Sequence, residues 1–480
     1  MELYLSVLTC QGLFATLRER FQYAPSTSAP EAVDAVRPGR EDSLGLPRYY
    51  DYAGAIHVHS TYSDGAGTVA EIAGAANQAG LDFVLLCDHS SLDARRDGED
   101  GWRGRTLMMV GTEVTTETGH LLALDVPDSF LPASNDARVA QESIVESGGI
   151  GFIALPCDLK DHWRDFSLRD RRMGLEVFNL SAIARTKINI PGLALVWMRY
   201  RSRNPQRAFH WVAARPDREL KLWDALITGG PLPSSLGVKQ TAPEPSADPS
   251  RYQKIVAIGS IDAHGIMKFG GKSYYVPTYA DVFRTLRTHI LLDQPLAGGQ
   301  AASSRVKEAS SDGSLPLATG GVGWGSSQDT ASVHGALARG HSYIAYDNYA
   351  DSTGFLFECV TPAGRTLMGD SLTASADGST YRLRVRVPKT RSFIRLFRNG
   401  KAIAVSRGGA LDYVTAEPGA YRVEAYLYRF RLGNLCLSAK PWIFSNPIYI
   451  QPAGVEADKP SSTVGEQSMP GVGRSSLSNG

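Results

Sequence analysis

The sequence predicts an α/β protein with a C-terminal antiparallel β module of the sandwich type, and three observations favour this class. Short apolar runs alternate with amphipathic segments from about residue 49 to residue 154, which is typical of β/α units. From about residue 354, runs such as YRLRVRVP alternate apolar and polar residues, as antiparallel strands do. The length of 480 residues exceeds one ordinary domain, so we expect two domains, or a large barrel with an extra module.

The first β/α unit can be followed residue by residue from Gly54. AIHVH has a period of two, so His57 and His59 are predicted to share one face of a strand. TVAE has the spacing of a capping box, and Gly80 is predicted to end the helix that follows it. DFVLLC is a continuous apolar run, which indicates a strand covered on both faces and brings His89 to its C-terminal end.

Later runs repeat this design, with polar side chains at the ends of predicted strands. TLMMVGTEVT places Glu113 at its end, and GHLLALDV starts a further strand at His120. GGIGFIALP and GLEVFN predict two more strands, and KIVAIGSIDAHG predicts another that carries Asp262 and His264. Catalytic residues of β/α barrels gather at strand ends, where the backbone is rigid and the side chains are accessible.

Composition and charge exclude several classes of protein. The 50 basic and 49 acidic residues leave a net charge of +1, which argues against a broad nucleic-acid interface. No apolar run is long enough to span a bilayer. The five cysteines form no CxxC pair, so we expect reduced, mostly buried thiols. The opening MELYLSVLTCQGLF lacks a basic leader, which predicts a cytoplasmic protein, or an exported one if the true N-terminus lies upstream.

Eight side chains near the predicted strand ends have the chemistry of metal ligands. They are His57, His59, Asp64, His89, Glu113, His120, Asp262 and His264. Each alone has an ordinary structural explanation, such as a turn-forming role for Asp64 in Ser-Asp-Gly. Imidazole together with carboxylate suits Zn²⁺, Mn²⁺ or Fe²⁺, whereas Ca²⁺ prefers oxygen ligands. Eight groups exceed the needs of one tetrahedral ion, so the series predicts two or three ions that share bridging carboxylates.

The order of HVHSTYSDG, CDHSS, GTEVTTETGH and GSIDAH resembles the PHP family, the polymerase and histidinol phosphatase domain, over about residues 52–270. This resemblance implies a distorted seven-stranded (β/α) barrel with a di- or trinuclear metal centre at its C-terminal mouth. It also implies the ligands of each ion: His57, His59, Glu113 and Asp262 for the first; Glu113 and His120 for the second; Asp64, His89 and His264 for the third. The later part of the chain is similar to a bacterial branch of metallohydrolases with a C-terminal β module, which includes an aryl carbamate hydrolase.

Leu155 departs from the family pattern, in which a histidine usually precedes the proline of this segment. Leucine cannot coordinate a metal, so the second ion loses a ligand. Three outcomes are open: Cys157, Asp158 or His162 replaces the histidine, water fills the position, or that ion is absent.

These residues predict a metal-dependent hydrolase, most simply a phosphoesterase that acts on a small phosphate ester. Ions that share Glu113 would lower the pKa of a common water and bind the nonbridging oxygens of a phosphate. Glu113 and Asp262 are the predicted catalytic residues, with Asp88 as an alternative for orienting the nucleophile. Arg185 and Lys187, just after EVFNLSA, are predicted to bind the phosphate, although for most arginines of this segment, taken one by one, a solvated helix face is the better explanation.

Two other functions fit the same residues. A carboxylic or carbamic ester could be the substrate of the same centre, because a metal-activated water attacks either carbon or phosphorus. The alternative from another class is a non-catalytic binding protein with a relic barrel.

The predicted organisation has five segments. They are a lead-in over 1–48, the metal-binding barrel over 49–295 with an insertion near 229–251, a linker and helical segment over 296–352, the β module over 353–451, and a disordered tail over 452–480. Within the β module, the Asn399-Gly400 pair predicts a tight hairpin.

Overall fold

The computed structural model describes most of the chain from residue 49 to residue 455. The described ranges are 49–158, 173–187, 206–234, 252–269, 272–298, 324–362, 364–389, 391–432 and 435–455, with the single residues Trp163, Phe166, Met198 and Tyr200. The predicted lead-in, most of the insertion near 229–251 and nearly all of the predicted tail lie outside these ranges.

The described residues form helices and strands in alternation at first, and mainly strands later. The helices are α1 (Val69–Ala79), α2 (Asp93–Arg96), α3 (Ala137–Glu146), α4 (Leu180–Lys187), α5 (Gln206–Val212), α6 (Asp217–Thr228), α7 (Tyr279–Phe283) and α8 (Trp324–Arg339). The strands of the first part are β1 (Tyr50–Val58), β2 (Phe83–His89), β3 (Gly101–Arg103), β4 (Thr106–Thr116), β5 (Gly119–Leu124), β6 (Ile150–Ala154), β7 (Met173–Asn179), β8 (Ala257–Ser260), β9 (Met267–Phe269), β10 (Lys272–Tyr274), β11 (Arg287–Leu292) and β12 (Ser342–Ala345). The strands of the second part are β13 (Leu356–Thr361), β14 (Gly364–Leu367), β15 (Ser371–Thr373), β16 (Tyr381–Arg386), β17 (Ser392–Arg398), β18 (Lys401–Arg407), β19 (Ala410–Thr415), β20 (Gly419–Leu432), β21 (Leu435–Ser445) and β22 (Ile448–Gln451).

Local signals gave the first β/α unit its bounds. Thr68 caps α1, because its side chain accepts from the backbone of Glu71 while the Glu71 carboxylate accepts from the Thr68 backbone. Gly80 ends the helix in the left-handed conformation, with φ of 76°. The capping box and the C-terminal glycine predicted from the sequence are therefore confirmed.

A mixed sheet of 16 strands runs through the described part of the chain. Its main path is β15-β22-β20-β21-β12-β11-β1-β2-β4-β5-β6-β7-β8, with β3, β17 and β18 joined to its members. The pairs β1–β2, β2–β4, β6–β7 and β7–β8 are parallel, whereas β4–β5 and β5–β6 are antiparallel. Because β5 runs antiparallel to both β4 and β6, the carboxyl ends of β1, β2, β4, β6, β7 and β8 lie at one edge, where the candidate site lies.

The mixed α/β class is confirmed, but the expected closed seven-stranded barrel is not. In the described residues, β1 and β8 share no ladder, and one isolated bridge joins Val58 to Ala263. Two backbone hydrogen bonds accompany it, from the Ile261 amide to the Ile56 carbonyl at 3.0 Å and from the Ala263 amide to the His57 carbonyl at 3.2 Å. Left-handed backbone at His57 and just after β8 interrupts the extended conformation that a continuous ladder needs.

β2 is covered on both faces, as its apolar run predicted. Leu86 packs into an apolar cluster with Ile72 of α1, whereas Leu85 joins a second cluster with Leu337 of α8. All four side chains are fully buried. Burying a side chain of this size stabilises the fold by about 1.5–3 kcal/mol, so this strand anchors the edge of the site on both sides.

A second antiparallel sheet has the order β14-β13-β16-β19. Phe357 and Leu383 of this sheet share an apolar core with Leu396, Val423 and Trp442 of the large sheet. The expected C-terminal antiparallel β structure is therefore present, and its core continues onto the sheet that carries the candidate site.

The structure also tests the predictions on the Asn399-Gly400 turn, the cysteines and membrane-spanning helices. Asn399 and Gly400 connect β17 to β18 with φ of 51° and 75°, as a two-residue hairpin turn requires, so that prediction is confirmed. Cys87, Cys157 and Cys359 are buried and free, as expected for reduced thiols. None of the described helices has the length and apolar character needed to cross a membrane.

Candidate metal centre

His57 and His59 enter the site from the end of β1 through a bulge. The register between β1 and β2 shifts between Ile56 and Val58, and His57 has a left-handed φ of 64°. Both histidines are fully buried, and their ring centroids are 5.0 Å apart. The two side chains therefore lie on the same side, as predicted, but a bulge rather than simple strand alternation puts them there.

Glu113 of β4 lies between the imidazole rings. Its Oε2 is 3.2 Å from His57 Nε2, 3.5 Å from His59 Nε2 and 3.1 Å from His89 Nδ1. Its Oε1 is 3.5 Å from His120 Nδ1. Burial alone would raise the pKa of Glu113, but the neighbouring histidines hold it well below its usual value. The two oxygens of one carboxylate thus face two different sets of nitrogen donors, as in a bridging ligand.

Asp262 and His264 follow β8, where the backbone of Asp262 has a φ of 52°. Asp262 Oδ1 lies 3.5 Å from His59 Nε2. Burial alone would raise the pKa of Asp262, but the surrounding imidazoles lower it to about 2. The His264 ring stacks on His59 with centroids 4.1 Å apart, and His264 Nε2 is 3.2 Å from Asp64 Oδ1.

The candidate ligands form three overlapping groups, in each of which the donor atoms lie within 4.8 Å of one another. The groups are His57, His59 and Asp262; His89, Glu113 and His120; and His59, Asp64, His89 and His264. All eight side chains predicted from the sequence therefore lie together. The grouping differs from the predicted one in two ways: His59 and His89 each belong to two groups, and Glu113 is grouped with His89 and His120 but not with His57, His59 and Asp262.

Buried nitrogen atoms at the centre show that these residues fit metal ions. His57 Nε2 and both ring nitrogens of His59 make no hydrogen bond within the described part of the chain, although carboxylate oxygens lie 3.2–3.9 Å away. An unpaired buried polar group costs about 1–3 kcal/mol. A divalent cation among these atoms would satisfy both the nitrogens and the carboxylates. The cluster therefore points to divalent metal binding.

Glu176 of β7 supports the centre and was missed from the sequence. It is fully buried, and its Oε1 lies 2.8 Å from His57 Nδ1. Its Oε2 accepts from the Leu155 amide and from Asn179 Nδ2, each at 2.9 Å. A proton on His57 Nδ1 leaves Nε2 facing Glu113, which is how carboxylates usually orient metal-binding histidines. An acidic residue inside the apolar run GLEVFN was the signal, because a charge on a buried strand needs a partner.

Asp88 holds the loop that presents Asp64. The Ser60 amide and Ser60 Oγ donate to its carboxylate at 2.8 and 2.7 Å, and Ser63 Oγ donates at 2.5 Å. A Cβ on Gly65 would lie 2.3 Å from the His59 carbonyl oxygen, so the loop needs glycine at this point. Asp88 belongs to none of the three ligand groups, and its alternative role in orienting the nucleophile stays a prediction.

Tyr279 of α7 joins both sides of the centre. Its hydroxyl lies 2.9 Å from the carbonyl oxygens of His59 and His264, and it accepts from the Gly67 amide at 3.2 Å. One hydroxyl proton serves one carbonyl at a time. Burial raises the pKa of Tyr279 to about 12, so the hydroxyl keeps that proton. No local sequence signal indicated this residue.

Leu155 is buried with a φ of 49°, and its neighbours do not supply the missing ligand within the described residues. Neither Cys157 nor Asp158 belongs to a ligand group. Burial raises the pKa of the Cys157 thiol, which disfavours the thiolate that a metal would bind. His162 lies outside the described residues.

Arg185 lies beside the centre on α4. Its Nε donates to Asp158 Oδ2 at 3.1 Å, and its Nη2 is 3.8 Å from Asp262 Oδ2. The side chain is 44% exposed, so it remains accessible to a substrate. Lys187 ends the same helix, but its side chain lies outside the described part of the structure, and its role stays a prediction. A cavity of about 590 Å³ adjoins Arg185, Asp262 and His264.

Comparison with known proteins gives low similarity. No family model and no curated protein matches the sequence. A two-domain protein from Bacteroides vulgatus, containing a predicted PHP-like metal-dependent phosphoesterase, is 12% identical over 86% of this chain and 100% of its own, with a TM-score of 0.31. A proposed metal-dependent phosphoesterase from Bifidobacterium adolescentis is 15% identical over 28% of this chain and 83% of its own, with a TM-score of 0.21. At TM-scores this low, neither structure indicates that this chain has the same fold or activity.

Proposed function

We propose that this protein is a metal-dependent hydrolase of the PHP family that cleaves a small phosphate ester. The observation that carries the proposal is the arrangement around Glu113, where imidazole nitrogens without hydrogen-bond partners face a buried carboxylate. In this proposal residues 49–295 form the metal-binding part.

Two or three divalent transition ions would occupy the three ligand groups. Glu113 lies within 3.5 Å of the rings of His57, His59, His89 and His120 and would help to hold ions bound beside them. Ions bound there supply Lewis acidity, which activates water and neutralises charge on the oxygens of an ester. Leu155 stands where the family pattern has a histidine ligand of the second ion. The group of His89, Glu113 and His120 therefore has fewer protein donors than a closed tetrahedral site.

Asp262 and Arg185 are the groups of this chain that face the substrate in the proposal. Asp262 directs Oδ1 toward His59 and Oδ2 toward Arg185. We assign Oδ2 to orient the attacking water by accepting a hydrogen bond from it. The guanidinium of Arg185 presents parallel N–H groups that bind an anionic oxygen pair in a bidentate manner, which suits a phosphoryl group.

A carboxylic or carbamic ester is the second candidate substrate on the same centre. The cavity beside Asp262 favours it, since most of its described lining is apolar. After manganese or zinc loading, turnover of p-nitrophenyl phosphate should exceed turnover of naphthyl acetate and of a naphthyl carbamate. The reverse order would replace the phosphoesterase assignment with the ester or carbamate assignment.

Metal quantification of the purified protein tests the centre itself. We expect at least two equivalents of transition metal, loss of at least one equivalent in His59→Ala, and loss of hydrolysis with an unchanged circular dichroism spectrum. His341→Ala is the matched control, because His341 pairs with Asp370 and belongs to none of the ligand groups. Less than one equivalent in the native protein, with none restored on reloading, would instead support a non-catalytic binding protein.

A further inference from the structure

We propose that the cavity beside Asp262 and His264 binds an aromatic or similarly large apolar substituent of the substrate. This inference rests on the proposed function and narrows its substrate class to amphiphilic esters, with a polar reacting group and an apolar side group. It excludes polyhydroxylated esters such as sugar phosphates as preferred substrates.

The cavity opens directly onto the candidate centre. Asp262 and His264 lie in its wall, and both also belong to the ligand groups. Helices α4 and α5 supply another part of the wall through Ala184 and Phe209. Its volume of about 590 Å³ is within the range of sites that enclose drug-sized molecules. A substituent bound in this cavity would therefore lie next to the bond that the centre cleaves.

Away from the centre, the described lining is apolar. It includes Leu180, Ala184, Phe209, Val212, Ile261 and Ile266. Among the described lining residues, Ser181 and Tyr200 alone offer side-chain hydroxyls. The Tyr200 hydroxyl donates to Asp281 Oδ2 at 2.6 Å and is already engaged. A substrate with many hydroxyls would leave them without hydrogen-bond partners here, at a cost that an apolar group avoids.

Two aromatic rings give the cavity a shape that suits a further ring. Tyr200 and Phe209 meet edge to face, with centroids 6.4 Å apart and an interplanar angle of 84°. Aromatic rings favour such edge-to-face and offset contacts, and a substrate ring would extend the same packing. Because the Tyr200 hydroxyl points to Asp281, the ring rather than the polar tip is available to the cavity.

Arg185 marks the boundary between the two parts of the site. It lines the cavity, while its Nη2 lies 3.8 Å from Asp262 Oδ2. An anionic oxygen on the reacting group would bind Arg185, and the apolar substituent would extend toward Phe209. The cleaved bond then lies at the boundary, beside Asp262.

Filling the cavity tests this inference through substrate preference. We compare kcat/KM for phenyl phosphate with that for methyl phosphate, and for phenyl acetate with that for methyl acetate. The intrinsic difference in leaving group cancels when the same ratio is compared between variants. In Ala184→Phe, which extends a ring into the cavity, we expect the phenyl-to-methyl ratio to fall at least about tenfold. An unchanged ratio in this variant overturns the inference.

Two further variants guard against a misfolded protein. Ala331→Phe makes the same change on an exposed face of α8 and should leave the ratio as it is in the native protein. Phe209→Ala enlarges the cavity and should shift preference from phenyl toward naphthyl esters. If Phe209→Ala shows no such shift, the cavity does not hold the substituent.

Binding without turnover separates this inference from the proposed function. Calorimetric titration of the metal-free and metal-loaded protein with benzylphosphonate and methylphosphonate should show at least about tenfold tighter binding of the benzyl compound. Ala184→Phe should abolish that difference. A benzyl preference without any hydrolysis would support the cavity and overturn the proposed function. Hydrolysis with equal affinity for the two phosphonates would overturn the cavity and leave the proposed function intact.

Discussion

Replacing Glu176 with glutamine tests how the candidate centre keeps its geometry. The change preserves the size of the side chain but removes its charge and one acceptor oxygen. In the structure, Oε1 lies 2.8 Å from His57 Nδ1, while Oε2 accepts from Leu155 and Asn179 at 2.9 Å each. A glutamine amide accepts at one end only. Its NH₂ group must therefore face either His57 or the pair of donors on the other side.

The expected magnitude has two parts. A metal-binding histidine that loses its carboxylate partner typically weakens metal affinity or activity by about 10- to 100-fold. That range corresponds to about 1.4–2.8 kcal/mol of binding free energy. A buried donor left unpaired lowers the free energy of unfolding by about 1–3 kcal/mol. Glu176→Gln should therefore weaken metal binding and also destabilise the metal-free protein.

Two assays separate these effects. Competition with a chromophoric chelator measures affinity for Zn²⁺ or Mn²⁺, and urea denaturation of the metal-free protein measures the free energy of unfolding. Glu358→Gln is the matched control, since Glu358 is a buried glutamate on β13 of the second sheet. We expect this control to lower stability without changing metal affinity. If Glu176→Gln binds metal as tightly as the native protein, His57 does not depend on this carboxylate and the reasoning is wrong.

Two further predictions concern the Ser-Asp-Gly loop and a buried histidine. Gly65→Ala should displace the loop and remove about one equivalent of metal, because its Cβ would lie 2.3 Å from the His59 carbonyl oxygen. Gly74→Ala is the control, since the space around its Cβ is open. Equal metal content in the two variants would contradict the prediction. For His289, burial lowers the pKa, but Asp347 and Asp51 raise it to about 10. Because this folded-state pKa lies above the unfolded value of about 6.5, the stabilisation is complete below pH 6.5 and is lost as the pH rises toward 10. Urea denaturation should show that the contribution of His289 to the free energy of unfolding falls by at most about 1.4 kcal/mol per pH unit over that window. His289→Asn should remove this pH dependence, and an equal slope of stability against pH in both proteins would contradict the prediction.

Short-range signals in the sequence were sufficient to predict the elements that carry the centre. The capping box before α1 and Gly80 after it depend on residues a few positions apart, and both have the predicted conformation. The unbroken apolar run of β2 predicted burial on both faces, which the structure confirms. Donor-bearing residues at the ends of such strands could be predicted to meet, because parallel strands bring their carboxyl ends to one edge.

Long-range contacts could not be predicted in the same way. Glu176 faces His57 across 119 positions of the chain. Its place in an apolar run indicates that it needs a partner, but nothing near it indicates which residue that partner is. Tyr279 reaches the His59 carbonyl across 220 positions. The missing ladder between β1 and β8 has the same origin, since it depends on backbone conformations that tertiary packing imposes at two strand ends.

Those backbone conformations are themselves part of how the centre is built. His57, Leu155 and Asp262 have φ of 64°, 49° and 52°, in a region that costs a non-glycine residue about 1–3 kcal/mol. Regular alternation would send neighbouring side chains to opposite faces, whereas a left-handed residue at a strand end turns its side chain independently of that rule. Partners distant in sequence hold two of these residues, since the Ala263 amide donates to the His57 carbonyl and Glu176 accepts from the Leu155 amide. A metal ion that binds the folded chain but not the unfolded chain would offset the remaining cost of this backbone strain through its binding free energy. The strain at these strand ends and the unpaired imidazole nitrogens therefore occur together, in an arrangement of donor atoms that points to divalent metal binding.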